Sequence, residues 1–119
     1  MSYMVNIQIN IKIKKHKEEQ LLNLIRKTEG IDWDYVLDGD SPEITISGKG
    51  TFLTVNYDGN YHEQEWYKFL KLIAPYIKDG EYIECRGDGF ATWVWYKKQG
   101  KWYETSYKHI IDRKIATEI

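Results

Sequence analysis

A chain of 119 residues, 42% hydrophobic and 29% charged with a net charge of −1, has the size and composition of one folded domain, which excludes a disordered, fibrous or two-domain protein. No stretch approaches the roughly 18 consecutive apolar residues of a membrane span, and no basic segment followed by an unbroken apolar run opens the chain, so a cytoplasmic location is expected. The single cysteine, Cys85, rules out an internal disulfide and a multi-cysteine zinc site.

Val5, Ile7, Ile9, Ile11 and Ile13 alternate with Asn6, Gln8, Asn10 and Lys12, a period of two that predicts a strand over 4–14 with one face buried. Leu21, Leu22, Leu24 and Ile25 then follow helical spacing behind Glu18 and Glu19, whose charges suit a helix N-terminus, and Gly30 can close a helix over 17–29. A run around Trp33 to Leu37 and the alternating pair Ile44 and Ile46 read as two strands separated by the turn-rich Asp38-Gly39-Asp40-Ser41-Pro42. Ser47-Gly48-Lys49-Gly50 forms a hairpin link into a strand whose Leu53, Val55 and Tyr57 share a face.

The second helix starts near Tyr61 or His62, since Trp66, Phe69, Leu70, Ile73 and Ile77 recur at three- and four-residue steps. Pro75 distorts its last turn before Asp79-Gly80 stops it. Three short β-type runs, EYIECR, FATWVWYKK and KWYETSY, are joined by Gly87-Asp88-Gly89 and Gln99-Gly100 into an antiparallel meander. In the tail, Ile110, Ile111, Ile115 and Ile119 fall at helical spacing and suggest a short C-terminal helix. The order β-α-β-β-α-β-β-β predicts one α+β domain over residues 1–119. It has two layers: a mainly antiparallel sheet of five to six strands with two helices packed on one face. Because a helix separates the first strand from the next, a parallel pairing with one neighbour is open to it.

Charge is uneven along the chain. Residues 29–65 hold nine acids (Glu29, Asp32, Asp34, Asp38, Asp40, Glu43, Asp58, Glu63, Glu65) against one base, Lys49, whereas residues 1–28 carry +4 and residues 86–119 carry +3. Acidic loops gathered at one end of the fold would attract a basic partner; the bland alternative is a solvated acidic surface. Aromatic residues are uneven too: residues 90–107 hold Phe90, Trp93, Trp95, Tyr96, Trp102, Tyr103 and Tyr107. If helices cover one sheet face, large rings on the other are left as binding anchors, or they pack across strands without binding anything.

Recognisable chemistry is sparse. His62 lies close in sequence to Asp58, Glu63 and Glu65, and a carboxylate beside an imidazole can act as general base or metal ligand, but no zinc spacing such as HExxH accompanies it. Neither a calcium loop nor a phosphate-binding glycine series occurs, and no cofactor or metal is expected. Alternation puts Cys85 and Arg86 on opposite faces of their strand, which favours a buried, inert thiol. An aromatic sheet face near Lys97, Lys98, Lys101 and Lys108 could stack single-stranded bases, although a pI near 6.3 argues against nucleic acid.

The segment YIECRGDGFATWVWYKKQGKWYE resembles small bacterial and phage proteins in which a G-x-G hairpin precedes a Trp-rich strand and a GK turn. Texturally it is similar to immunity proteins that neutralise toxins by direct binding. The resemblance covers mainly residues 80–104, carries no site residues over and implies a binding role.

Three functions are therefore expected in order. The first is a non-enzymatic macromolecule-binding module, of the bacterial or phage inhibitor or immunity type. It would meet a basic toxin or defence protein through Asp34, Asp38, Asp40, Trp93, Trp95, Tyr96, Trp102 and Tyr103. The second is a small hydrolase or metal-dependent enzyme centred on His62, Asp58, Glu63 and Glu65. The third is a single-strand nucleic-acid binder. A homodimer paired through the Trp/Tyr-bearing strand as an edge is a further possibility.

Overall fold

The alternating isoleucines of the first strand lie inside a seven-stranded antiparallel sheet in the computed structural model, which describes residues 3–27, 43–106 and 117–119. In chain order the elements are β1 (Met4–Lys12), α1 (Glu18–Lys27), β2 (Glu43–Ser47), β3 (Gly50–Asn60), α2 (Glu63–Ile73), β4 (Tyr82–Gly87), β5 (Thr92–Lys98), β6 (Lys101–Ser106) and the two-residue β7 (Thr117–Glu118). The sheet order is β2-β3-β1-β4-β5-β6-β7. The expected α+β architecture is present, with one short strand more than expected.

The parallel pairing open to β1 does not occur: β3 and β4 flank it and both run antiparallel to it. The reason is the β2–β3 hairpin. Its first strand, β2, goes to the sheet edge, and its second returns beside β1 in the opposite direction. The chain then passes through α2 and delivers β4 to the other side of β1. The Trp-bearing β5 lies between β4 and β6, so it is an interior strand rather than an edge available to a second copy.

Register aligns the apolar residues of β1, β3, β4 and β5 on one face. Ile7 stands opposite Tyr57 and Cys85, Ile9 opposite Val55, Ile11 opposite Leu53, and Ile83 opposite Trp95. Onto this face α2 lays Trp66, Phe69, Leu70 and Ile73, and α1 adds Leu21; all five are fully buried. Each such side chain contributes roughly 1.5–3 kcal/mol of transfer free energy. Glu63 and Glu65 in the first turn of α2 and Lys71 in the last complement its dipole. As its proline predicts, the helix gives way to a 3₁₀ turn over Ala74–Tyr76, with Pro75 near its start. At the β5–β6 connection Gln99 and Gly100 have φ of 51° and 81°, the double positive φ of a two-residue hairpin turn whose twist matches the strands.

The opposite face is polar at its centre, where Asn6, Gln8 and Asn10 of β1 lie beside Glu84 and Arg86 of β4 and line a groove of about 330 Å³. Toward β5 and β6 it changes character, because Val94, Tyr96 and Thr105 are buried there. In the tail, Thr117 and Glu118 are extended along β6 rather than helical, and Ile119 packs on the core. The earlier part of the expected C-terminal helix lies outside the described residues, as do the run from Trp33 to Leu37 and the turn from Asp38 to Pro42. Among the described residues no helix is long and apolar enough to cross a membrane.

Candidate functional site

At the end of the sheet where β1 begins and β3 ends, the helix-covered face opens into a cleft of about 540 Å³ lined by Tyr3, Tyr61, Glu63, Trp93 and Glu104. Antiparallel pairing makes this convergence possible: Met4 stands opposite Asn60 and Trp93 opposite Ser106, so the first residues of β1 and β5 and the last of β3 and β6 share one end. Glu63 joins them as the first residue of α2.

Tyr3 is anchored from both sides. Its carbonyl accepts the Tyr61 N–H at 2.7 Å, its hydroxyl donates to the Asp88 carbonyl at 3.4 Å, and its ring lies so close over Gly87 that a Cβ there would collide with it. The Tyr61 ring touches both other aromatic walls. Its centroid is 6.4 Å from that of Tyr3, with the planes at 57°, and 5.3 Å from that of Trp93, with the planes at 47°.

Glu104 forms the floor. Alternation along β6 puts it on the same face as the buried Trp102, and it stands opposite Trp95. Its Oε1 accepts two hydrogen bonds, from the Tyr67 hydroxyl and from the Trp95 indole N–H, each 2.9 Å long. Trp95 is completely buried, and among Trp66, Trp93, Trp95 and Trp102 it alone has an acceptor for its indole. Two neutral donors thus fix the carboxylate on one oxygen. Neither Glu104 nor Glu63 has an ion-pair partner among the described residues.

This environment keeps its neighbours protonated. Burial, then the adjoining Tyr67 and Glu104, pushes the Tyr61 phenol well above its ordinary value. Burial and the bond donated to Glu104 do the same to Tyr67. The Cys85 thiol, buried behind the cleft, is driven up by desolvation first and by Glu104 second, so it is not held as a nucleophilic thiolate. Arg86 points to the other face and is exposed, as alternation predicts.

The expected binding residues are distributed differently from the sequence reading. Trp95, Tyr96 and Trp102 are buried, at 0%, 6% and 2% exposure, and offer no contact surface. Trp95 is consumed by core packing: its ring lies 5.8 Å from that of Trp66 on α2 and 6.5 Å from that of Tyr67. Tyr103 is half-buried and stacks on Tyr96. Trp93 alone of the five reaches the cleft. Asp34, Asp38 and Asp40 lie outside the described residues.

The residues around His62 do not assemble as a unit. Asp58 pairs with Asn6 on the polar face and is exposed, whereas Glu63 lines the cleft on the helix side, so the sheet separates them. His62 is half-buried ahead of α2, and Glu65 pairs with Lys68 at 3.3 Å. Among the described residues no three His, Cys, Asp or Glu side chains are grouped so as to hold a metal ion. Lys97, counted above toward a nucleic-acid surface, is buried on the helix side, where its Nζ donates to the Ile77 carbonyl at 2.9 Å and to Asp79 at 3.1 Å.

Sequence reasoning missed Tyr3, Tyr61, Tyr67 and Glu104. For Glu104 a signal existed: in KWYETS it falls in phase with Trp102, an acid on the core side of a strand. A larger hollow, about 610 Å³, is lined by residues of the contiguous stretch from Glu84 to Thr92, the end of β4, the turn after it and the start of β5. No known protein family, curated protein or solved structure matches the chain.

Proposed function

We propose that this protein is a non-enzymatic module that binds a basic protein partner, in the manner of an inhibitor or immunity protein. On this reading a cationic side chain of the partner enters the cleft of Tyr3, Tyr61 and Trp93 and meets Glu104 and Glu63. The observation that carries the reading is Glu104: a partly buried carboxylate, pinned on Oε1 by two neutral donors, with no counter-charge among the described residues. A carboxylate drawn away from water is stabilised most by a charged, hydrogen-bonded partner. Aromatic faces beside it add cation–π attraction, on the order of 0.5–2 kcal/mol per favourable contact. The acidic excess of residues 29–65 would steer the same partner toward the molecule.

The hydrolase alternative has less support, because it needs His62, Asp58 and Glu63 together and the sheet stands between the two acids. Single-strand binding needs open rings on β5, and Trp95 and Tyr96 are buried.

The test is fluorescence anisotropy of a labelled lysine-rich peptide with the full chain. Replacing both carboxylates, Glu63→Gln with Glu104→Gln, is expected to weaken binding by about tenfold or more, whereas Asp58→Asn on the opposite face leaves it unchanged. Equal affinities for wild type and the double variant would overturn the proposal.

A further inference from the structure

We infer that the cleft discriminates between cations, taking the compact alkylammonium of a lysine side chain in preference to the guanidinium of arginine. This rests on the cation-binding reading above and adds its specificity. Two features of the geometry point to it.

The first is the hydrogen-bond state of Glu104. A guanidinium gains most from a carboxylate when its planar fork engages both oxygens at once. Here both acceptor positions of Oε1 are already filled, by the Tyr67 hydroxyl and the Trp95 indole, each at 2.9 Å. These bonds are not readily given up, because Trp95 is sealed in the core and its N–H has no other acceptor among the described residues. Oε2 is left as the working oxygen. A single oxygen serves an ammonium, a point charge with three rotatable donors, but it denies a fork the parallel two-oxygen engagement of this carboxylate.

The second feature is the arrangement of the rings. A guanidinium is also held by lying flat against an aromatic face or between two parallel ones. Tyr61 and Trp93 touch at 47°, and Tyr3 and Tyr61 meet at 57°, so neither adjoining pair forms a parallel slot. Inclined faces instead surround a compact, roughly spherical cation from several directions, and cation–π attraction to an ammonium needs no coplanarity. The cleft's volume of about 540 Å³ lets the aliphatic stem of the lysine lie along the rings while its nitrogen reaches Oε2.

The experiment follows the indole N–H resonances of the ¹⁵N-labelled full chain by NMR during titration with n-butylammonium and, separately, n-butylguanidinium. The Trp93 resonance is assigned from its loss in Trp93→Phe. The expected result is a saturable shift of the Trp93 resonance with both probes, with the ammonium bound severalfold more tightly and its advantage reduced in Glu104→Gln. Equal or tighter binding of the guanidinium would overturn the specificity inference while leaving a cation-binding cleft intact. A Trp93 resonance that moves with neither probe would overturn the cation-binding reading as well. Thermal unfolding of Glu104→Gln, compared with wild type, separates loss of the charge from loss of the fold.

Discussion

Removing the Glu104 side chain and removing only its charge should have very different consequences for stability. In Glu104→Ala the indole N–H of Trp95, wholly buried, loses its acceptor, and an unsatisfied buried donor costs about 1–3 kcal/mol. Tyr67, half-buried, can turn its hydroxyl toward water and loses about 1 kcal/mol. The sum is about 2–4 kcal/mol. In Glu104→Gln the amide oxygen still accepts both bonds, so only the charge assistance disappears, about 1 kcal/mol. For a chain of this size 1 kcal/mol corresponds to roughly 3–5 °C in Tm. Thermal unfolding monitored by near-UV circular dichroism should therefore show Glu104→Ala falling by about 6–20 °C and Glu104→Gln by about 3–5 °C. Equal Tm losses for the two variants, or none for Glu104→Ala, would refute the role given to the Oε1 bonds.

Two further outcomes concern residues beside the cleft and beneath the sheet. Gly87→Ala has no backbone strain to overcome, since Gly87 has φ near −118°, but its Cβ would collide with the Tyr3 ring. It should lower affinity for a lysine-rich peptide while leaving Tm nearly unchanged, because Tyr3 is exposed and can swing aside. Lys97 and Asp79 form an asymmetric pair, the ammonium fully buried and the carboxylate half exposed. Lys97→Met should keep Tm near that of wild type, while Asp79→Ala, which strands the ammonium on the Ile77 carbonyl, lowers it in thermal melts. The Gly100 N–H first and Lys97 second hold the Asp79 carboxyl below its ordinary value of 3.8. Its contribution is therefore complete above that value and lost as pH falls through the folded one. The Tm gap between wild type and Asp79→Ala should be full at neutral pH and shrink on acidification below about pH 4.

Much of the architecture was legible because periodicity speaks directly about local structure. The alternation from Val5 to Ile13 and the spacing of Trp66, Phe69, Leu70 and Ile73 each had one structural solution, and Pro75 marked the end of α2. Sheet order was not legible, because the pairing of β1 with both β3 and β4 depends on contacts far apart in sequence. Alternation on β5 correctly separated Trp93 and Trp95 from Val94 and Tyr96, but it could not give depth. Trp95 disappears under α2, and on the other face Val94 and Tyr96 are buried as well. The cleft was hidden for the same reason as the sheet order: Tyr3 and Glu104 are brought together only by the assembled strands. What the sequence did offer was phase, since an acid on the core side of β6 is an anomaly that points to a task.

A direct test of cation capture by the aromatic cleft is the pattern of intermolecular nuclear Overhauser effects between a bound lysine-containing peptide and the full-length protein. Cross-peaks from the lysine ε-methylene protons to the ring protons of Tyr61 and Trp93 are expected. Cross-peaks confined to the polar face around Asn6, Gln8 and Asn10, with none to those rings, would contradict it.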